Sequence, residues 1–274
     1  MTDRYAVTGN PVHHSKSPQI HAAFAWQTGE DLSYTKLPLP IDAFRTGTED
    51  FFAQGGKGLN VTVPFKLQAW QLAAVRSQRA ERAGAVNTLW QNEDGQLCGD
   101  TTDGTGLLRD LCDNHQIQLK SKSLLILGAG GAVRGVLSEL LEKKPQRITI
   151  ANRTVEKAKL LAEQFSDLGC LYGCGFDALA GQQYDLIING TSASLQGELP
   201  ALPDGLNVER SVGYDMMYSA QETPFNCWAQ QRGAVRTLDG LGMLVEQAAE
   251  SFFIWRGVRP QTAAVIESLR SELK

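Results

Sequence analysis

Cysteine, histidine and long apolar runs are what this chain of 274 residues is short of. Its five cysteines (Cys98, Cys112, Cys170, Cys174 and Cys227) are odd in number and scattered, which argues against a disulfide framework. Cys170 and Cys174 have no second Cys/His pair at metal-ligand spacing, so they read as packing residues. His13 and His14 adjoin, but neither a carboxylate nor a third histidine stands at a suitable spacing, and no metal is expected. No apolar run approaches the roughly 20 residues of a membrane span. Asp3, Arg4 and Tyr5 interrupt the start before a secretory apolar core could form. A reducing cytoplasm, away from any membrane, is the expected location. Positive charge is not in surplus either: 26 Lys and Arg against 30 Asp and Glu leave a net charge of −4. That offers no footprint for nucleic acid, so any phosphate recognition must be local. Internal repeats and low-complexity segments are absent too.

Glycine is plentiful, and its placement organises the chain around residues 122–154. Ser123-Leu124-Leu125-Ile126-Leu127 reads as a buried strand. Gly128-Ala129-Gly130-Gly131-Ala132 follows, and then Val133, Val136, Leu137, Leu140 and Leu141 recur at helical spacing. Pro145 closes that helix, and Arg147-Ile148-Thr149-Ile150-Ala151 is a second strand. Strand, glycine turn, helix and strand within about 30 residues are the span of a βαβ dinucleotide-binding unit. Such a turn brings backbone N–H groups and a helix N-terminus against a pyrophosphate. Gly128 and Gly130 fill two positions of the usual fingerprint; the third holds Val133, so helix–strand packing must be arranged differently.

The end of the second strand bears on which nucleotide is bound. NAD sites usually carry Asp or Glu there. This chain has Asn152-Arg153-Thr154, with Lys157 a turn later. No carboxylate repels a 2′-phosphate, Arg153 can stack on adenine or pair with phosphate, and Thr154 offers a hydroxyl. Thr154 is equally an N-cap for the helix carrying Ala158, Leu161, Ala162 and Phe165, and both roles can coexist. NADP is expected over NAD.

Upstream, Tyr5-Ala6-Val7 is a strand, and Ser17-Pro18 suits an N-cap with proline at the first helical position. Capping does not explain Ser15; two hydroxyls at a helix entrance could hold a polyol or a carboxylate. Residues 32–37 read as a strand and 41–52 as a helix. In Gly58-Leu59-Asn60-Val61-Thr62-Val63-Pro64-Phe65-Lys66, alternation puts Asn60 and Thr62 on one face. Lys66 follows the strand end, where α/β folds place binding groups. Residues 85–90 and 96–99 suggest a hairpin around Asn92-Glu93-Asp94-Gly95. Asn87 within it needs partners for its amide. Asp103 opens a helix, a position that the helix dipole alone would favour. Downstream, residues 184–189 form a buried strand ending at Gly190-Thr191-Ser192, a loop that could touch the cofactor. Residues 212–215 read as the last strand of this region, and two helices follow Asp239-Gly240-Leu241-Gly242.

Six of these pieces occur in register in one family. Ser15-Lys16-Ser17-Pro18, Asn60-Val61-Thr62-Val63-Pro64-Phe65-Lys66, Gly84-Ala85-Val86-Asn87-Thr88, Asp100-Thr101-Thr102-Asp103-Gly104, Asp239-Gly240-Leu241-Gly242-Met243-Leu244 and the glycine turn with Asn152-Arg153-Thr154 resemble shikimate dehydrogenase across nearly the whole chain. The resemblance implies an α/β protein of two domains with the active site in the cleft between them. One is a substrate domain (1–102 with 240–274), the other a Rossmann-type, doubly wound NADP-binding domain (103–239). It implies NADPH-dependent reduction of 3-dehydroshikimate to shikimate, with Lys66 and Asp103 as the catalytic pair. Ser15, Ser17, Asn60, Thr62, Lys66, Asn87, Asp103, Tyr218 and Gln247 would hold the substrate. Gly128, Ala129, Gly130, Gly131, Ala132, Asn152, Arg153, Thr154, Lys157, Thr191, Ser192, Met216 and Gly240 would hold NADP(H). The expected partner is the small-molecule substrate alone, on a monomer or weak homodimer. A quinate/shikimate paralogue tolerating NAD and a non-catalytic NADPH-binding sensor are the alternatives. Methylenetetrahydrofolate dehydrogenase also uses a lysine, but would not account for the serine pair or the Asp103 motif.

Overall fold

The computed structural model describes residues 2–273. Along the chain run β1 (Asp3–Gly9), α1 (Ser17–Thr28), β2 (Leu32–Pro38), α2 (Phe44–Ala53), β3 (Gly56–Val61), α3 (Lys66–Leu72), β4 (Val75–Arg76), α4 (Gln78–Ala83), β5 (Thr88–Gln91), β6 (Leu97–Asp100) and α5 (Asp103–Arg109). Then follow β7 (Ser123–Leu127), α6 (Gly131–Glu142), β8 (Arg147–Ala151), α7 (Val155–Gln164), β9 (Leu171–Cys174), β10 (Leu186–Asn189), β11 (Val212–Asp215), α8 (Pro224–Gln231), β12 (Arg236–Asp239), α9 (Leu241–Arg256) and α10 (Ala263–Leu273). Two compact α/β units result: Met1–Gly106 with Val245–Glu267, and Leu107–Leu244 with Ser268–Lys274. Among the described residues no helix is long and apolar enough to cross a membrane.

The first unit is built on a mixed sheet in the order β2-β1-β3-β5-β6-β4. β1 is parallel to β2 and β3, whereas β5 runs antiparallel to β3 and β6. One face packs Leu59, Val61, Phe44, Phe51, Phe65 and Val86 into a core. The other carries Phe24 of α1 edge-on to Phe252 of α9, ring centroids 5.8 Å apart. Gly58 lets α9 approach: a methyl there would come within 2.5 Å of the Trp255 ring.

Two local expectations need correction here. Ser17 is the first residue of α1, not its cap; Lys16 holds the cap position and makes no side-chain capping bond. Ser15 supplies the acceptor instead, its Oγ taking the backbone N–H of Ser17 at 3.2 Å. The hydroxyl that capping failed to explain is therefore the one bonded to the helix start. The 41–52 helix begins only at Phe44, because Ala43 bonds back to the Pro40 carbonyl in a turn.

The second unit is a wholly parallel sheet in the order β12-β11-β10-β7-β8-β9. Counted from β7, this is the 3-2-1-4-5-6 order of the doubly wound dinucleotide fold, reversing direction between β7 and β10. Its strands are buried on both faces. Leu124, Ile126 and Ile148 join one core and Leu125, Leu127 and Ile187 the other. β11 is not the last strand of this sheet, as expected above; β12 adds one more edge. Cys174 is buried in β9 as a packing residue, while Cys170 is exposed.

The missing third fingerprint glycine is accounted for across the turn. Val133 is fully buried, and a methyl on Gly190, just after β10, would come within 2.5 Å of its Cγ2. The space that helix–strand packing needs has moved from the helix to the facing strand end. Gly190→Ala is therefore expected to cost about 1–3 kcal/mol by overpacking. Adding Val133→Ala should recover much of that loss, as denaturant midpoints across the double-mutant cycle would measure. Undiminished destabilisation in the double variant would place the clash at Met216 Sδ or the Leu127 carbonyl instead.

Candidate active site

In the first unit the polar groups of four segments meet in one network. Lys66 opens α3 immediately after the turn that closes β3, and its Nζ lies 2.5 Å from Asp103 Oδ2. Both side chains are mostly buried, 16% and 8% exposed. Asp103 Oδ1 accepts Nδ2–H of Asn87 at 2.8 Å. The Asn87 amide cannot turn over, because its Oδ1 accepts the fixed backbone N–H of Thr102 at 2.9 Å. Gln247 of α9 brings Oε1 to 3.4 Å from the same Nδ2 and 3.3 Å from Thr102 Oγ1. A carboxylate thus holds the ammonium while an oriented amide holds the carboxylate.

The supporting contacts fix where this pair stands. Asn60 Nδ2 donates to the Asn87 carbonyl, Thr88 Oγ1 and Ser251 Oγ at 3.0–3.2 Å. Its Oδ1 accepts the Tyr34 hydroxyl at 2.7 Å. The Asn60 amide is thereby engaged with protein groups on both sides. The segment leading to Asp103 is anchored by Asp100, which takes Arg79 in a two-pronged pair at 2.7 and 2.8 Å. Asp100 also accepts the Ser77 hydroxyl. Ser15 and Ser17 touch each other, Oγ to Oγ at 3.1 Å, and the Tyr34 phenol bonds to Ser17. Thr62 continues past β3, its backbone N–H bonded to the Thr8 carbonyl. The motifs contain Thr88 and Thr102 without giving either a role, and Tyr34 and Ser251 lie outside them. Ser251 was within reach of sequence reasoning, since it stands four residues after Gln247 on the same helix face.

Tyr218 belongs to the second unit, half-buried after β11; burial and the Asp239 charge raise its phenol. In that unit the glycine turn has the features a pyrophosphate needs. Gly128 adopts φ +106°, and a methyl there would crowd the Gly190 carbonyl at 3.1 Å. Methyls on Gly130 and Gly131 would meet nothing within 4 Å, so the mouth of the turn is open at the N-terminus of α6. Asn152 Nδ2 bonds to the Thr154 carbonyl and folds the loop after β8. Thr154 occupies the cap position of α7 without a side-chain capping bond. Arg153 and Lys157 are exposed at this strand end. Thr191 bonds to Asn189 through its N–H and its hydroxyl, at 3.2 and 2.7 Å. Ser192 is exposed in the same loop. A methyl on Gly240 would overlap the Met216 carbonyl, so the chain segments after β11 and β12 touch backbone to backbone. These residues fit NADP: an open turn, basic groups at the β8 end, and no carboxylate there. Among the described residues no metal-binding cluster exists, and His13 and His14 are exposed.

Comparison with known proteins follows the same division. Family models described as the shikimate dehydrogenase substrate binding domain, shikimate/quinate 5-dehydrogenase and the shikimate 5′-dehydrogenase C-terminal domain match residues 7–89, 110–196 and 240–270. The shikimate dehydrogenase (NADP(+)) of Alkalilimnicola ehrlichii is 58% identical over 272 residues, covering 99% of this chain and 100% of that protein. An Ael1 enzyme from Pseudomonas putida superposes with TM-score 0.92 at 44% identity, covering 98% of each chain. Shikimate 5-dehydrogenase from Thermus thermophilus, solved with NADP(H) and shikimate, gives TM-score 0.87 at 32% identity over 99% of this chain and 100% of its own. The chain belongs to the NADP-dependent shikimate dehydrogenase family.

Proposed function

We propose that this chain catalyses the reversible NADPH-dependent reduction of 3-dehydroshikimate to shikimate, with Lys66 as proton donor and Asp103 as its carboxylate partner. The observation that carries the reading is the Lys66–Asp103 pair set against the oriented Asn87 amide. Bound NADPH supplies the hydride. Negative charge then develops on the ketone oxygen, and the Lys66 ammonium offers both a countercharge and a proton. In the reverse direction neutral Lys66 takes the hydroxyl proton. Asn87, Asp103, Gln247 and Thr62 serve as donors and acceptors for the substrate's hydroxyls, and Ser15 and Ser17 take its carboxylate. Tyr218 completes that set. Asn60, engaged on both sides of its amide, acts by holding Asn87. We take the substrate domain as residues 1–102 with 240–274 and the NADP domain as 103–239; the compact units divide slightly later, after Gly106 and Leu244, which keeps Asp103 with Lys66. We place the enzyme in the cytoplasm as a monomer or weak homodimer.

The test is absorbance at 340 nm with shikimate or quinate against NADP or NAD. Shikimate with NADP should be the productive pair. A quinate/shikimate activity is the second reading, favoured by the description of the family model over 110–196; turnover of quinate with NAD would establish it. No turnover with any pair would point to a cofactor-binding sensor. A charged hydrogen bond contributes about 1.5–3 kcal/mol, so kcat/KM should favour NADPH over NADH by about 10- to 100-fold. Arg153→Ala should narrow that ratio, and comparable values in the parent chain would refute the NADP assignment.

A further inference from the structure

One buried charge in the second unit is not accounted for by packing. Asp215, the last residue of β11, has no solvent exposure. Its Oδ1 accepts Asn189 Nδ2 at 3.1 Å and the Met217 backbone N–H at 3.0 Å. Its Oδ2 accepts Ser194 Oγ at 2.7 Å, and the Thr223 hydroxyl adds a further donor. Ser194 Oγ itself receives Asn189 Nδ2 at 3.2 Å, which leaves its proton for the carboxylate. Burial raises this carboxyl group above its usual range, while the ring of donors pulls the other way, favouring the ionised form and leaving no acceptor for a proton. All these donors are neutral, and among the described residues no Lys, Arg or His pairs with it. Burying a charge without a counter-ion is costly, and an asparagine could fill the same space without that cost.

The position of this charge suggests what it faces. In a doubly wound sheet each half takes one mononucleotide, with the pyrophosphate at the first glycine turn. Arg153 at the end of β8 assigns the adenosine half to β7, β8 and β9. The nicotinamide half then falls at the ends of β10, β11 and β12, where Asp215 ties down the loops carrying Thr191, Ser192 and Met216. We propose that the buried, cation-free carboxylate of Asp215 stabilises the positively charged oxidised nicotinamide relative to the neutral reduced one, besides positioning the loops around it. This rests on reading the unit as the NADP site. Asp215 is thus an electrostatic and positioning residue rather than a catalytic one.

The test is equilibrium binding of NADP+ and of NADPH to the full chain without substrate, for the parent and Asp215→Asn. The variant should weaken NADP+ by about tenfold while NADPH changes by no more than about twofold. Removing a full charge that acts on the oxidised ring through a low-dielectric interior weakens the cationic form selectively, because the neutral reduced ring carries no charge for it to act on. Equal weakening of both forms would reduce Asp215 to a structural residue, and no change in either would remove it altogether; each overturns the proposal. If Asp215→Asn does not fold, Asp215→Ser removes the same charge with a smaller side chain and is read identically. Failure of the parent chain to bind either form would instead overturn the NADP assignment.

Discussion

Lys66→Ala is expected to lower kcat by at least about 100-fold, the lower range for loss of a general acid. The KM for shikimate should change far less. The expectation follows from where the lysine sits. As the first residue of α3 its backbone carbonyl is tied to the Val86 N–H at 3.0 Å, and its ammonium is fixed on Asp103. Removing the side chain leaves the network of Asn87, Thr102 and Gln247 standing, so substrate still has donors and acceptors while the proton source is gone. Asp103→Asn should also depress turnover, because an amide cannot hold both the ammonium and Asn87 Nδ2 as acceptor. Steady-state kinetics decide: a large rise in KM with kcat intact would make Lys66 a binding residue, and near-normal kinetics for Asp103→Asn would remove Asp103 from the chemistry.

Mild acid should destabilise the folded chain through His21. This side chain is 1% exposed, stacked on Tyr34 with ring centroids 4.1 Å apart and planes within 5°. Neither ring nitrogen makes a well-formed hydrogen bond, although the Asn60 amide lies close by. Burial pushes its pKa down to about 3, and the neighbouring Asn60 side chain offsets only part of that. The unfolded chain takes up a proton near pH 6.5, whereas the folded chain holds none there until about pH 3. Between those values the unfolded state binds more protons, so stability falls as pH falls. The loss amounts to roughly 2 kcal/mol at pH 5 and roughly 4 kcal/mol by pH 3. His21→Phe keeps an aromatic ring on Tyr34, removes the titrating group, and should flatten this part of the profile. Urea midpoints at pH 7 and pH 5 measure it. A variant as acid-labile as its parent would assign the effect to other groups.

The second unit was legible because its signals are local. An apolar run, glycines at a strand end and a helical apolar stripe fall within 122–154, and β7, α6 and β8 form there. β12 escaped notice because Leu238 is the single large apolar residue among its four. β4 is two residues long and carries no pattern at all. Ser17 looked like a cap because Pro18 follows it, yet the hydroxyl bonded to the helix start belongs to Ser15. In the first unit the motifs pointed to Lys66, Asn87 and Asp103 but not to what orients them. Asn60 and Ser251 meet across 191 residues of chain, and no periodicity connects positions so far apart.

The antiparallel ladder of the first unit places Asn60 opposite Thr88, and Thr88 opposite Asp100. Spacing among these polar groups is therefore dictated by the pleat, not by connecting loops. Lengthening the exposed tip at Asn92-Glu93-Asp94-Gly95 leaves that ruler untouched. One residue inserted within β3 or β5 rotates every later side chain of that strand to the opposite surface. Tolerance to insertion and deletion in this half of the chain is thus set strand by strand, with the hairpin tip as its permissive point.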